Sequence, residues 1–456
     1  MTGEPAPALS RRSALKLLSA QIALVTSCAK PSEEIVPYVH MPERLVPGLP
    51  LRFATSFPLS GHGRGVLCTS IEGRPIKAEG NPLHPASLGA TDVFAEATVL
   101  SLYDPDRSRT LRRMGKGESP EISDWHSFLD GLQPRLAAAA SKQGEGMRLL
   151  SGPISSPTLL RQIRELEQRF PSLSWHVHDP LEIRAGADGA LMAFGQPITA
   201  LPRLGDADVI VSLDADPLGP GPLQIVNARG IAARRGAPNG GGGSVRLYAI
   251  EAAPTLTGAN ADHRLALRPA EIAAFAAAIA RGLGAGLDEK PLPAAAAEIA
   301  REIASDLSAH RRRAVILAGG TLPAPLHALC HWINDKLEAP VDHFPVPDNA
   351  PKPASLEQLT KDLEAGKVDS LIILGSNPVY DAPGGLGFAE ALRGAGFRVH
   401  LGTYFDETAQ ACDWHVPESH ILESWSDLAA PDGTAGIVQP LLAPLYDSRS
   451  AHELLA

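Results

Sequence analysis

The chain of 456 residues is 44% apolar and 20% charged, the balance of a soluble globular protein long enough for two or three cores. Its formal net charge of -10 and its 5% aromatic content argue against nucleic acid or an anionic lipid surface as the main partner. The four cysteines, Cys28, Cys68, Cys330 and Cys412, stand far apart with no C-x-x-C pair, which removes the ligands for a self-contained iron–sulfur cluster, a four-cysteine zinc site or covalently attached haem c.

The N-terminus reads as an address. Arg11 and Arg12, within Ser-Arg-Arg-Ser-Ala-Leu-Lys, match the twin-arginine export pattern. The apolar stretch Ala14 to Thr26 behind them is broken by Lys16, Ser19 and Gln21 and is too short for a bilayer core of about 30 Å. Val25-Thr26-Ser27-Cys28 then fits a lipoprotein signal-peptidase box, so residues 1–28 are expected to be a signal peptide ending at a lipidated Cys28. The mature protein is then expected at the periplasmic face of a bacterial cytoplasmic membrane, on the bilayer without crossing it. Residues 29–50 are Pro-rich and predict an extended tether.

From residue 51 the pattern alternates around turns. Gly65 to Ile71, a turn at Glu72-Gly73-Arg74, and Pro75 to Ala78 predict a β-hairpin within a β-rich domain over 51–115. Strand-like runs follow at Met147–Leu150, Asp208–Leu213, Val245–Glu251, Arg313–Leu317, Ser370–Leu374 and Arg398–Leu401. Helix patterns lie between them at Pro157–Phe170, Ala270–Gly282, Pro293–His310 and Leu356–Ala365. Such alternation predicts doubly wound parallel sheets, divided here into α/β domains over 116–290 and 291–456. In these sheets ligands gather beyond the carboxyl ends of the strands, at loops such as Asp214–Gly219, Glu251–Thr255, Ala318–Thr321 and Gly375–Pro378. None is a phosphate cradle of the G-x-G-x-x-G or G-x-x-x-x-G-K-[ST] kind.

Taken together, the segments resemble a family. Glu72 to Pro85 with Leu102-Tyr103-Asp104-Pro105-Asp106-Arg107 resembles the opening of molybdopterin-dependent oxidoreductases. Later hallmarks recur in order: Ala207–Asp214, Ala261-Asp262-His263-Arg264-Leu265 with Arg268-Pro269, Leu374–Pro378, and Asp406–Ala409 with Cys412–Pro417. Thr255–Arg264, Asn377–Pro383 and Glu418–Trp425 are similar to the large molybdopterin-like, iron–sulfur-associated subunit of alternative complex III, a bacterial quinol:electron-acceptor oxidoreductase. The resemblance runs from about residue 10 to the C-terminus. It implies an α/β molybdopterin-oxidoreductase-like fold. It further implies partners: an iron–sulfur subunit, a multihaem cytochrome c subunit and a quinol-oxidising integral membrane subunit.

The departures from that pattern are chemical. Aligning the Gly73-Arg74 turn puts Phe57, Ser60, Arg64 and Asp92 where catalytic relatives place the cysteines of a [4Fe–4S] cluster. Iron in such a cluster needs thiolate, which none of these residues offers. No cysteine lies between Cys68 and Cys330, so the cysteine ligand to molybdenum is missing as well, although Asp179 is of a residue type that serves in some relatives. The chain stops at Leu454-Leu455-Ala456, before the family's C-terminal barrel and ferredoxin-like repeats, so the resemblance implies either a fragment or a split gene with the iron–sulfur part on a separate chain. The expected role is therefore a non-catalytic scaffold with no cofactor and no metal of its own. The alternatives are a molybdopterin enzyme with an atypical ligand, or a periplasmic small-molecule-binding protein. His400, His415 and His420 with Asp413, Glu418 and Glu423 form a polar group, but the His415–His420 spacing fits neither one helix face nor one strand face of a metal site. Glu423, Trp425, His84 and Asp104 are read as fastening loops by hydrogen bonds. Cys68, Cys330 and Cys412 sit in apolar surroundings, with a Cys330–Cys412 disulfide left open.

Overall fold

A computed structural model describes residues 46–115, 119–181, 184–236, 245–346 and 352–456. The expected signal residues Arg11, Arg12 and Cys28, and most of the 29–50 tether, lie outside the described residues. The chain divides at Leu49/Pro50. Val46–Leu49 form a turn closed by a 3.1 Å bond from Leu49 N–H to the Val46 carbonyl, and every element below belongs to residues 50–456.

Strands β1 (Leu51–Leu59), β2 (His62–Ile71) and β3 (Arg74–Gly80) make an antiparallel meander. The predicted hairpin is β2–β3. Its two-residue turn, Glu72-Gly73, takes φ of +53° and +81°, the left-handed pair that matches strand twist and that glycine favours. Helix α1 (Val93–Leu102) follows, capped by Asp92, whose Oδ1 accepts from Phe94 and Ala95 N–H at 2.9 Å.

The next segment supplies β4 (Leu111–Arg113), β5 (Glu121–Ser123), α2 (Trp125–Ser141), β6 (Met147–Ser151), α3 (Pro157–Arg169) and β7 (Ser174–Val177). Pro157 opens α3 and Ser156 caps it, while Leu159 and Ile163 face the core. Residues 184–346 then form a second body: α4 (Arg184–Phe194), β8 (Ile198–Pro202), β9 (Val209–Leu213), α5 (Gln224–Arg235), β10 (Arg246–Glu251), α6 (Leu256–Asn260), β11 (His263–Ala266), α7 (Pro269–Gly282), α8 (Ala294–Ala309), β12 (Ala314–Ala318), α9 (Ala324–Leu337) and β13 (Val341–Pro345). Its parallel sheet has the order β11-β10-β9-β12, and every residue of β9 is buried because helices cover both faces. Strands β8 and β13 pair as an antiparallel ribbon.

The chain then returns to the first body with β14 (Ala354–Ser355), α10 (Leu356–Glu364), β15 (Ser370–Leu374), α11 (Pro378–Asp381), α12 (Phe388–Ala391), β16 (Arg398–Gly402), α13 (Glu407–Ala411), β17 (Trp414–Pro417), β18 (Ser426–Ala429), β19 (Ala435–Val438) and α14 (Ala451–Leu455). The larger sheet has eight strands in the order β14-β7-β6-β15-β16-β17-β4-β5.

This topology corrects the linear division at 290/291. The eight-stranded sheet draws on residues from both predicted α/β domains, and the four-stranded sheet takes β12 from beyond the boundary. Strand β4 also joins the large sheet, so the N-terminal module ends before residue 111. The C-terminal ribbon β18–β19 returns to the N-terminal meander: Gln439 N–H donates to Thr55 Oγ1 at 3.1 Å and its side-chain amide to the Ala54 carbonyl at 2.7 Å. The reason is that parallel neighbours always need a crossover, and closing a long crossover costs little more than closing a short one.

Candidate functional site

The four positions matched to cluster cysteines fall on the meander and the start of α1. Phe57 pairs directly with Arg64 across β1–β2, and Ser60 opens the intervening two-residue turn at φ +46°. Arg64 points inward, 2% exposed, and its guanidinium pairs with the Asp92 carboxylate. The same guanidinium donates to the Gly221 carbonyl at 2.9 Å and the Pro222 carbonyl at 3.4 Å. Two of the four positions thus form a buried ion pair tying meander, α1 and the loop before α5 together. A cation paired to a carboxylate, an aromatic ring and a hydroxyl supply no thiolate, so this donor set does not fit a [4Fe–4S] cluster. Cys68, farther along β2, is fully buried and its thiol is pushed up to about 11 by burial, which keeps it protonated.

The large sheet changes direction at β6/β15. From β6 the order runs to β7 on one side and from β15 to β16 and β17 on the other. Beyond the carboxyl ends of these parallel strands, at the place such sheets use for ligands, lies a cavity of about 450 Å³. Its floor is the Ser151–Ser156 loop after β6, Leu374-Gly375 after β15, Thr403 after β16, and Glu418 to Ile421 after β17. The meander and α1 close it from above with Phe57, Pro58, Thr98 and Ser101. Glu418 is the acidic residue in the lining, and burial pushes its carboxyl up to about 7. Gly375 is needed beside it: it adopts φ +58°, and a Cβ there would stand 3.3 Å from Glu418 Oε2.

Two histidines share the lining. His420 Nδ1 accepts from Leu422 N–H at 3.2 Å, which leaves Nε2–H to donate to Ser101 Oγ at 3.0 Å. His452 lies 2.7 Å from Gln162 Oε1 through Nδ1 and 2.8 Å from Ser426 Oγ through Nε2. Burial first, then nearby Arg107, pushes His420 down to about 4, so it is neutral at pH 7.

The remaining polar residues singled out by sequence go elsewhere. His400 and His415 contact each other through Nδ1 atoms at 3.1 Å, His400 Nε2 faces the Ser376 carbonyl at 3.3 Å, and His415 Nε2 meets Ser108 Oγ at 2.7 Å. Asp413 holds Arg398, and Glu423 holds Arg107. These groups are occupied by one another, and among the described residues no group of three or more His, Cys, Asp or Glu is placed to hold a metal ion. Asp179 caps its own turn, accepting from Leu181 N–H at 3.0 Å. Asp104 and His84 do fasten loops, through Tyr404 and the Ala86 N–H respectively. Trp425 does not: it is 64% exposed. Cys330 and Cys412 are buried and unbonded, so the disulfide left open does not form.

Burial, then His400 and Arg112, pushes His415 down to about 3. A histidine whose folded value lies below its unfolded value of about 6.5 binds fewer protons when folded. It therefore withdraws stability as pH falls from about 6.5 toward 4. His415→Gln is expected to flatten the pH dependence of the unfolding free energy, measured by urea titration, over that window by roughly 1–3 kcal/mol. Unchanged dependence relative to the unsubstituted chain would refute this. Glu418 acts in the opposite sense over part of the window, so the difference between the two proteins is the quantity to compare.

The loops beyond the four-stranded sheet close on themselves. Asp214 Oδ1 accepts from Ala252 N–H at 2.9 Å, Asp216 Oδ1 takes both the N–H and hydroxyl of Thr257, and Glu251 binds Arg264 and Thr255. These were the loops that sequence reasoning marked first. It passed over the Ser151–Ser156 loop and His452, although that loop directly follows the strand-like run at Met147–Leu150.

No protein-family model matches the chain. It is 28% identical over 451 residues to the menaquinone reductase, molybdopterin-binding-like subunit of Nitratidesulfovibrio vulgaris (strain Hildenborough). The match takes in 86% of this chain and spans 62% of that relative's length. The structure is similar to acetylene hydratase from Pelobacter acetylenicus with a TM-score of 0.65 at 13% identity, covering 88% of this chain and 68% of that one. The chain therefore carries the molybdopterin-oxidoreductase fold and is similar in sequence to a molybdopterin-binding-like subunit.

Proposed function

We propose that this chain is a scaffold subunit, without chemistry of its own, in a membrane-bound quinol-linked oxidoreductase of the alternative complex III type. It would hold together an iron–sulfur subunit, a multihaem cytochrome c subunit and a quinol-oxidising membrane subunit. It would reach the periplasmic face by the twin-arginine route and stay there through Cys28. The observation that carries the reading is the Arg64–Asp92 ion pair, buried at the positions where catalytic relatives are expected to hold iron. The relative named a menaquinone reductase subunit supports a respiratory setting. On α1, Val93 and Leu100 remain 71% and 74% exposed, apolar surface of the kind that protein partners cover.

Elemental analysis of the intact chain, separated from co-purifying subunits of the membrane fraction, tests the reading. Iron and molybdenum well below one per chain are expected, with redox subunits among the proteins that come along. Whole-number metal in the isolated chain, or recovery as a lone monomer, would overturn it. Cys28→Ala is expected to move the protein from the membrane to the soluble periplasmic fraction, and replacing Arg11 and Arg12 by lysine to keep it in the cytoplasm. Unaltered fractionation would sink the anchoring and export parts.

A further inference from the structure

The cavity at the β6/β15 switch is lined by hydroxyls, apolar side chains and a carboxylate. Among the described residues, no lysine or arginine lines it. The N-terminus of α3 opens toward it, but that terminus is already occupied: Asp427 accepts from the Ser156 hydroxyl, from Thr158 N–H at 3.2 Å and from Thr158 Oγ1 at 2.5 Å. An anion such as a diphosphate would find no cation to pair with and would sit near two carboxylates. His420 and His452 are held by Ser101, Ser426 and Gln162. Among the described residues, the Glu418 carboxylate has no hydrogen-bond or ion-pair partner within the protein. It stands against Gly375, with its acceptor capacity unused. Phe57, Pro58, Leu159, Leu374 and Leu428 provide apolar wall around it.

We propose that this cavity is a binding site for a small organic cation, an amine or amidine with a compact apolar body, whose N–H donors pair with Glu418. The ligand's charge would supply the partner that the fold withholds, and its body would fill space that serine hydroxyls and aliphatic side chains enclose. The site goes beyond the scaffold reading and is independent of it, since it concerns a ligand of this chain rather than its subunits.

Isothermal titration of the intact chain at pH 8 with benzamidine, tyramine and, as the isosteric anion, benzoate tests the proposal. Benzamidine or tyramine is expected to bind at millimolar concentration or below, and benzoate not to bind. Glu418→Gln removes the charge. Gly152→Val fills the cavity from a position where an added Cβ meets nothing within 4 Å. Each is expected to weaken binding roughly tenfold or more while leaving the melting temperature close to that of the unsubstituted chain. Absence of heat from both cations, benzoate binding as well as benzamidine, or unchanged affinity in both variants would overturn it. None of these outcomes bears on metal content or co-purification, so failure here is distinct from failure of the scaffold reading.

Discussion

Asp92→Ala is expected to destabilise the N-terminal module by about 3–5 kcal/mol, because it strands the Arg64 guanidinium in a site that excludes water. Both side chains are almost fully buried, at 2% and 6% exposure, so solvent cannot replace the lost partner. The change also removes the N-cap of α1, which adds about 1 kcal/mol. Asp92→Asn keeps an acceptor for the Phe94 and Ala95 N–H groups and should cost less. A double variant, Arg64→Met with Asp92→Asn, is expected to recover part of the loss, since it removes the buried charge rather than orphaning it. Hydrogen exchange gives the location: amides of β1–β3 and α1 should lose protection while β6, β15 and β16 keep theirs. A loss below about 1 kcal/mol for Asp92→Ala would mean that the pair is open to water and does not organise the module.

Arg107→Met is expected to cost a similar amount, about 3–5 kcal/mol, by leaving Glu423 unpaired. The two side chains are 1% and 0% exposed and meet through two bonds of 3.1 and 2.6 Å. Arg107 also donates to the Leu102 carbonyl at 2.8 Å, closing α1, while Glu423 accepts from His420 N–H at 2.8 Å and Leu445 N–H at 3.0 Å. The pair therefore clamps the end of the N-terminal module to the segment that shapes the cavity. Burial alone would raise the Glu423 carboxyl, but Arg107 and the two backbone donors outweigh it and hold it below its usual range. A depressed carboxylate contributes stability above its unfolded value of about 4.3 and loses it as pH falls through the folded value. The Arg107→Met penalty, read from urea midpoints, should thus be largest near neutral pH and shrink below about pH 4. A penalty that stays constant with pH would show that lost packing, not lost charge, is responsible.

The Arg107 and Arg64 clamps differ in how visible they were. Arg107 lies in the Leu102–Arg107 motif and Glu423 in the Glu418–Trp425 motif, so both were singled out, but nothing in the spacing said that they meet across more than three hundred residues. Arg64 and Asp92 were identified by what they fail to be, and their partnership came only from the meander's register and the cap of α1. The hairpin around Glu72-Gly73 was legible because turn chemistry is local: two consecutive positive φ values restrict the residues that fit. The strand runs at Val209–Leu213 and Ser370–Leu374 were legible because a parallel strand covered on both faces must be continuously apolar. Strand β7 and the short strands β4 and β5 carry no such run and were missed.

The same boundary runs through the marked loops: the one after β15 reaches the cavity through Gly375, and those of the four-stranded sheet do not. The Asp214, Glu251 and Gly319 loops occupy the ligand-binding end of the four-stranded sheet as expected, yet their carboxylates turn inward onto Thr257, Arg264 and backbone N–H groups. Whether a carboxylate faces a partner or a cavity depends on side chains brought from distant strands, and no single-loop pattern records that.

By itself, the amino-acid sequence determined the kind of elements, the turns between them, the parallel α/β class, and the absence of cysteine at Phe57, Ser60, Arg64 and Asp92, the positions that the resemblance aligns with cluster ligands. Each follows from properties that one residue or a few neighbours carry: apolar periodicity, allowed backbone angles, donor chemistry. Only the tertiary structure decided that residues 184–346 are inserted into an eight-stranded sheet, that Arg64 finds Asp92, and that Glu418 is left facing a cavity without a partner. Those outcomes depend on which strands become neighbours, and adjacency in a sheet is chosen by burial and crossover geometry over the whole chain.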